Sequence, residues 1–278
     1  MNSSVQRKTS LFDVLSMILL TLITTLFVFP FYWVITGSVK LQQETVALPP
    51  KLLPQNPTLE NYAALFRQPA WQWLFNSIFI AGVTMILVCL VSASAGYVLA
   101  KKRFYGGKFL FALFIMAMAL PKQVVLVPLV RQVNAMGFHN TLWAAILPAI
   151  GWPFGIFLMK QFSETIPTEM LEAAKIDGCS EFATFAQIVI PMVKPGIGAL
   201  AIFTFISAWN DYFLQLIMLL NRANLTLQLG IATMQGEFST NYGLLMAGAT
   251  FAAIPIVTIF IVFQKSFTQG ITMGAVKG

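Results

Sequence analysis

Charge is what this sequence has least of. Only 10% of its 278 residues are Asp, Glu, Lys or Arg, against about 25% in a typical soluble domain. Hydrophobic residues make up 58% and the mean hydropathy is +0.77, so the solvent this chain suits is lipid. Cysteine is nearly absent: Cys89 lies in an apolar run and Cys179 in a polar stretch. Two cysteines so placed provide neither a disulfide framework nor metal-ligand spacing. His139 is the single histidine, too few for a metal cluster, and reads as a loop residue. There is no Gly-x-x-x-x-Gly-Lys-Ser/Thr loop; Gly107-Lys108 lacks the upstream glycine and runs into Phe109, so ATP hydrolysis by this chain is not expected. No nucleophile, base and oxyanion set is visible either, which points away from an enzyme. The net charge of +7 is scattered among apolar runs without a continuous basic stripe, which excludes a nucleic-acid interface.

What the chain does have is six long apolar runs: Val14 to Thr36, Trp73 to Ala100, Phe109 to Val133, Leu142 to Met159, Gly196 to Leu220 and Leu244 to Phe263. About 20 apolar residues span a bilayer. Without water to satisfy backbone groups, such runs are expected to be helices. The fold class expected is therefore an all-α membrane protein with six transmembrane helices. The first run is too long for a signal peptide and lacks a small-residue cleavage site, so it is read as an anchor. The third is interrupted by Pro121, Lys122, Pro128 and Arg131; the fifth carries Asp211.

The basic residues set the orientation. With the N-terminus inside, Arg7, Lys8, Lys101, Lys102, Arg103, Lys108, Lys160, Lys175, Lys194, Lys265 and Lys277 face the cytoplasm, and Lys40, Lys51, Arg67, Lys122, Arg131 and Arg222 the outside. The cluster Lys101-Lys102-Arg103 abuts a span end, where the positive-inside bias is strongest. N-in, C-in is the topology expected, as a multi-pass protein. The outer stretch Gly37 to Gln72, with Pro49, Pro50, Pro54 and Pro57, is expected to be an extended surface connection.

The inner stretch Lys160 to Lys194 holds five of the ten acidic residues: Glu164, Glu169, Glu172, Asp177 and Glu181. Pro167 suits a helix start, and Glu169 and Glu172 follow at its positive end. Met170, Leu171, Ala173, Ala174 and Ile176 carry the helix to Gly178, a left-handed stop. Ser180 caps a second helix that buries Phe182, Phe185 and Ile188 or Val189 at helical spacing, and Pro191 ends it. The expected product is a bent pair of short helices whose two alanines allow close approach.

Glu172-Ala173-Ala174, three residues, Gly178, nine residues, then Ile188-Val189-Ile190-Pro191 resembles the EAA signature of the transmembrane subunits of bacterial ABC importers. Ile190 stands where Leu is usual. The resemblance runs along essentially the whole chain. Leu53-Pro54 with Pro57-Thr58-Leu59-Glu60-Asn61-Tyr62, Asn76-Ser77, and Trp209-Asn210-Asp211-Tyr212 are similar to segments of the carbohydrate-uptake branch. The tail Gly270 to Gly278 is similar to that of the maltose-type subunit, which reaches into the ATPase dimer.

The resemblance implies a type I ABC importer permease fold. Its domains would be an N-terminal helix with the Pro-rich segment (1–70), the transmembrane domain (71–264) with the coupling loop (160–195), and a cytoplasmic tail (265–278). It implies a subunit translocating a sugar or oligosaccharide across the bacterial cytoplasmic (inner) membrane. The partners implied are a second homologous permease, two ATPase subunits and an extracytoplasmic sugar-binding protein, besides the lipid bilayer. ATP and Mg would sit on the ATPase, with no cofactor or metal on this chain. ATPase coupling would fall to Glu172, Ala173, Ala174, Asp177, Gly178, Ile188 and Pro191, and tail contact to Gly274, Val276 and Lys277. Another polar solute (glycerol phosphate, sialic acid or a polyol) is an alternative cargo; an ion-coupled carrier is a rival class.

For the solute path the candidates are Lys122, Thr204, Ser207, Asn210, Asp211 and Gln215. Thr204, Ser207, Asp211 and Gln215 are spaced to share one helix face. A charge in a span normally faces a cavity or a partner, so the stripe either lines a cavity or only holds the bundle together by hydrogen bonds. Lys122 either snorkels to the headgroups or lines a site at a helix break. The loop Asn221 to Gly243 is expected to be flexible. Gln235, Glu237, Asn241 and Tyr242 would either touch the binding protein, as in the maltose-type subunit, or belong to a bare connector.

Overall fold

The computed structural model describes residues 11–235 and 240–275, with residues 262–275 described by backbone alone. Every regular element among the described residues is helical. Three helices are long and apolar enough to cross a membrane: Leu11–Ser38 (α1), Ala70–Lys101 (α4) and the part of Tyr242–Ala275 (α15) up to Ile261. Three bent helix pairs raise the number of candidate spans to six if each pair counts as one.

The bends fall where side chains interrupt the helical hydrogen-bond ladder. The third run divides into Gly107–Met118 (α5) and Lys122–Ala135 (α6), which turn 107° from each other. Pro121 has no N–H to donate and pushes Leu120 out of the helical region. The fourth run divides into Leu142–Ile146 (α7), a 3₁₀ turn Leu147–Ala149, and Pro153–Glu164 (α8), bent by 44° before Pro153. The fifth, expected as one helix from Gly196 to Leu220, stops at Trp209. Lys194–Trp209 (α12) gives way to Tyr212–Met218 (α13), with Asp211 as the N-cap of α13.

The chain forms two units. The first joins residues up to Gln68 with Met234–Phe251. In it α1 is exposed along nearly its whole length, and Gly37 and Ser38 are its buried residues. The stretch that follows is folded, not an extended surface connection. It holds two short helices, Gln42–Thr45 (α2) and Glu60–Phe66 (α3). Lys40 is buried, its Nζ donating to the Lys51 carbonyl at 2.5 Å and lying 4.6 Å over the Trp33 ring. Glu44 accepts from the backbone N–H groups of Gln55 and Asn56 at 3.1 Å each and from Asn56 Nδ2 at 3.2 Å. Asn61 Nδ2 donates to the carbonyls of Ser38 and Lys40. Prolines deny this segment a helical ladder, and polar side chains satisfy its backbone instead.

The second unit, Pro69–Thr233 with the residues from Ala252, is built on α4, which packs chiefly against α8 and α12. Small residues let these helices close up, as membrane helix contacts require: a Cβ on Gly96 would stand 2.6 Å from the backbone of Met159 and Lys160. At the N-terminal end of α4 the stretch after α13, expected to be flexible, is pinned as far as residue 233. Asn76 Nδ2 donates to the carbonyls of Ala223 and Leu225, Trp73 Nε1 to that of Arg222, and Ser77 Oγ accepts from Leu227 N. A further short helix, Leu227–Ala232 (α14), buries Leu227 and Leu229. His139 lies in the short loop between α6 and α7.

Candidate functional site

Two sites stand out in the second unit, a helical hairpin at the C-terminal end of α4 and a cavity beside the helix breaks. The hairpin starts at Thr168–Ile176 (α9), with Pro167 as its N-cap and not in its first turn. Gly178, at φ +80°, closes it: Cys179 N donates to Ala174 O at 3.0 Å and Gly178 N to Lys175 O at 3.2 Å. That pair of bonds is a Schellman motif, and the left-handed position suits glycine. Ser180 Oγ then accepts from Ala183 N at 3.2 Å and caps Glu181–Thr184 (α10).

Two expectations about the second arm need correction. Phe182 is 79% exposed, while Phe185 and Val189 pack on the core with Leu171. Pro191 does not end the helix: the backbone widens into a π-turn over Phe185–Val189 and continues through Ile190–Met192 (α11). The wider turn accommodates the proline ring and its missing donor. The arm breaks at Val193, and α12 leaves at 77°. Nor do both alanines face outward. Consecutive residues lie about 100° apart on a helix; Ala174 is buried and Ala173 exposed. The exposed surface comprises Glu172, Ala173, Asp177 and Gly178 with two large apolar side chains, Ile176 (86% exposed) and Phe182. Ile188 is half-buried.

Two lysines counted from sequence only as orientation signals fix the hairpin. Lys101 Nζ donates to the carbonyls of Glu164 at 3.1 Å and Ile166 at 2.6 Å, capping the end of α8. Lys102 Nζ meets Glu181 Oε2 at 2.5 Å and lies 5.6 Å over the Tyr97 ring. The hydrogen bond and charge of Glu181 raise the Lys102 pKa, and Lys102 in turn lowers that of Glu181.

The cavity measures about 500 Å³. It gathers five of the six path candidates, Lys122, Thr204, Ser207, Asp211 and Gln215; Asn210 is not among its lining residues and donates back to Ile206 O at 3.0 Å. Lys122 Nζ and Asp211 Oδ2 stand 3.7 Å apart, joining the break between α5 and α6 to that between α12 and α13. Asp211 Oδ1 also accepts from Leu214 N at 3.4 Å. Gln215 is buried: Nε2 donates to Ala208 O at 2.7 Å, a carbonyl in the last turn of α12, and Oε1 accepts from Thr226 Oγ1 at 2.7 Å. The stripe therefore divides, with Gln215 stitching the break and Asp211 facing the cavity. Thr204 Oγ1 lies within the wall without a hydrogen-bond partner among the described residues. Sequence reasoning missed Trp152, which also lines the cavity; its position before Pro153 was the available signal.

Of the remaining candidates, Asn241 Oδ1 accepts from Leu244 N at 3.0 Å at the start of α15, and Gln235 and Tyr242 are exposed. Glu237, Val276 and Lys277 lie outside the described residues, and Gly274 is in the backbone helix α15.

Residues 92–273, which include the whole hairpin and every cavity-lining residue from Ala117 onward, match the family model of the binding-protein-dependent transport system inner membrane component. The chain belongs to that family. This permease is 36% identical over 227 residues to the arabinooligosaccharides transport system permease protein AraQ of Halalkalibacterium halodurans, covering 81% of each chain. It is 32% identical over 261 residues to its Bacillus subtilis counterpart, covering 92% of this chain and 93% of that one. Its fold matches, with a TM-score of 0.82, a chain of a bacterial ABC transporter involved in the import of the acidic polysaccharide alginate. That match covers 94% of the permease and 98% of the other chain at 20% identity. The all-helical architecture is thus that of a type I ABC importer permease, a transport component.

Proposed function

We propose that this permease is one of two homologous membrane subunits of an ATP-driven, binding-protein-dependent importer that carries a sugar or oligosaccharide across the bacterial inner membrane. The observation that carries the reading is the exposed hairpin face. Ile176 and Phe182 stand out beside Glu172, Ala173 and Asp177, on an arm whose other side is packed into the core. An apolar knob on a braced polar loop suits a protein groove, and the groove is that of an ATPase subunit. Six spans with both termini inside put the hairpin in the cytoplasm, in keeping with Lys101 and Lys102 at its root.

ATP binding closes the two ATPases, the hairpins follow, and Lys101 with the Val193 bend conveys the displacement to α4, α8 and α12. ATP and the loaded binding protein both favour the outward-open state; their differential affinity for the two states drives the change. Solute passes by Lys122, Ser207 and Asp211. Gln235, Asn241 and Tyr242 face the binding protein, and the chain end from Gly274 reaches the ATPases. The sugar cargo is supported by the arabinooligosaccharide relatives.

Purification in mild detergent is expected to bring down an ATPase. The complex, reconstituted with its binding protein, should take up arabinotriose only with ATP. Uptake driven by a proton or sodium gradient without ATP would overturn the proposal.

A further inference from the structure

The cavity described above falls in the size range of small-molecule sites, about 300–1,000 Å³. Its walls are mostly apolar, Val88, Leu126 and Trp152 among them, and its lining carries one cation and one anion, Lys122 and Asp211. Both come from helix breaks, where transporters place solute contacts.

The distance between the two charges decides what they can bind. At 3.7 Å they attract one another, but a charge-assisted N–H···O bond measures about 2.7–2.9 Å. Lys122 keeps donors to spare and Asp211 keeps acceptor capacity. Ser207, half-buried on the same wall, adds a hydroxyl with no hydrogen-bond partner among the described residues. An incoming hydroxyl is donor and acceptor together, so it can accept from Lys122 Nζ and donate to Asp211 Oδ2 while leaving the charges balanced. An anionic group could satisfy Lys122 only by competing with Asp211, leaving two anions for one cation between apolar walls. The Lys122 side chain is 63% exposed and that of Asp211 only 25%, so the uncompensated charge would fall on the more buried carboxylate, where it is disfavoured. Trp152 offers a flat apolar surface to the C–H face of a sugar ring.

We propose that this cavity is a subsite for an uncharged polyhydroxylated solute, with the Lys122–Asp211 pair excluding anionic sugars at the passage step. The inference rests on the transport reading and adds a selectivity of this chain's own, separate from that of the binding protein.

The test places a thiol in the cavity, Ala149→Cys, in a chain with Cys89→Ala and Cys179→Ser; Ala149 lines the wall and has no polar side chain. Labelling by a methanethiosulfonate reagent is followed in the reconstituted importer, with arabinotriose and an alginate trisaccharide as probes at equal millimolar concentration. Arabinotriose is expected to slow labelling at least fivefold, and the alginate trisaccharide less than twofold. Adding Asp211→Asn frees Lys122, and the acidic probe should then protect. Equal protection by both probes with Asp211 intact would overturn the proposal. So would unchanged labelling with arabinotriose in a complex that still imports it. Loss of ATP-driven uptake for every sugar would instead count against the transport reading.

Discussion

Gly96→Ala puts one methyl group against the backbone of a neighbouring helix in the second unit. The added Cβ would stand 2.6 Å from Lys160 N, 2.6 Å from Met159 C and 2.7 Å from Met159 Cβ. None of these atoms can swing aside by a rotamer change, so α4 and α8 must part. Overpacking a tight interior costs about 1–3 kcal/mol, and with only backbone to move the upper half of that range applies. Alanine in a helix interior returns about 1 kcal/mol of propensity relative to glycine. The net loss is about 1–2 kcal/mol.

Gly82, in the same helix, is the matched control. A Cβ there meets nothing within 4 Å, so Gly82→Ala keeps the propensity gain alone. The two variants should therefore differ by about 2–3 kcal/mol, roughly 30- to 150-fold in the folded-to-unfolded ratio. Thermal unfolding in a single detergent, followed by tryptophan fluorescence, measures the difference. Equal stability of the two variants would refute the claim that the approach of α4 to α8 depends on the missing side chain.

At Gly178 the constraint is φ and not space, since its Cβ would meet nothing within 4 Å. Gly178→Ala should cost the turn about 1–2 kcal/mol, with Gly178→Asn milder, and ATPase retention on the purified permease should rank Gly, Asn, Ala. The Lys102–Glu181 contact has a pH window: Glu181 is held below its ordinary 4.5 and Lys102 above its ordinary 10.5. The clamp is thus fully present between those values and lost as pH falls through the lowered carboxylate pKa or rises through the raised lysine pKa. Crosslinking across the hairpin root should stay flat from pH 6 to 9 and fall below 4.5; Glu181→Gln should show the acid behaviour at pH 7. Burial works to raise the Glu44 pKa, but the Gln55 and Asn56 hydrogen bonds and the Lys51 charge prevail and lower it. Order in residues 44–56 should hold above pH 4.5 and loosen as pH falls through the lowered value. Glu44→Gln should speed proteolysis of that segment at neutral pH.

The apolar runs and the hairpin were legible because each rests on local chemistry. Uncharged stretches as long as Trp73 to Ala100 admit few structures but a helix, and Gly178 with Ser180 names its own turn and cap. The breaks were harder to read. Pro121 announced the 107° bend, but nothing in the spacing of Thr204, Ser207, Asp211 and Gln215 says that the helix stops between the second and third of them. Asn210-Asp211 was the signal: both side chains compete with helical backbone bonds, and hydrophobic periodicity overrode them. Pro191 misled in the other direction, because a π-turn can absorb a proline that composition alone treats as a stop. The folded segment after α1 was illegible for a third reason. Lys40, Glu44 and Asn61 bond to backbone groups up to 23 residues away, and no local pattern encodes such partners.

The basic residues at the end of α4 show how one charge can answer two demands. Lys101 and Lys102 abut an apolar helix, where they bias insertion whether or not they touch anything. The structure also gives each a partner: two backbone carbonyls at and just past the end of α8 for Lys101, and the hairpin carboxylate of Glu181 with the Tyr97 ring of α4 for Lys102. The two partners differ in what they require. A carbonyl pair needs donors directed at fixed points, which arginine supplies with different reach and geometry, whereas a carboxylate accepts either cation. Insertion bias asks only for positive charge. Conservative exchange at Lys101 therefore separates the roles: Lys101→Arg retains the charge that orients the chain while altering the cap that ties α4 to the end of α8, from which the hairpin follows. A defect confined to hairpin placement, with the chain inserted normally, would place Lys101 in the mechanical linkage between α4 and the docking face.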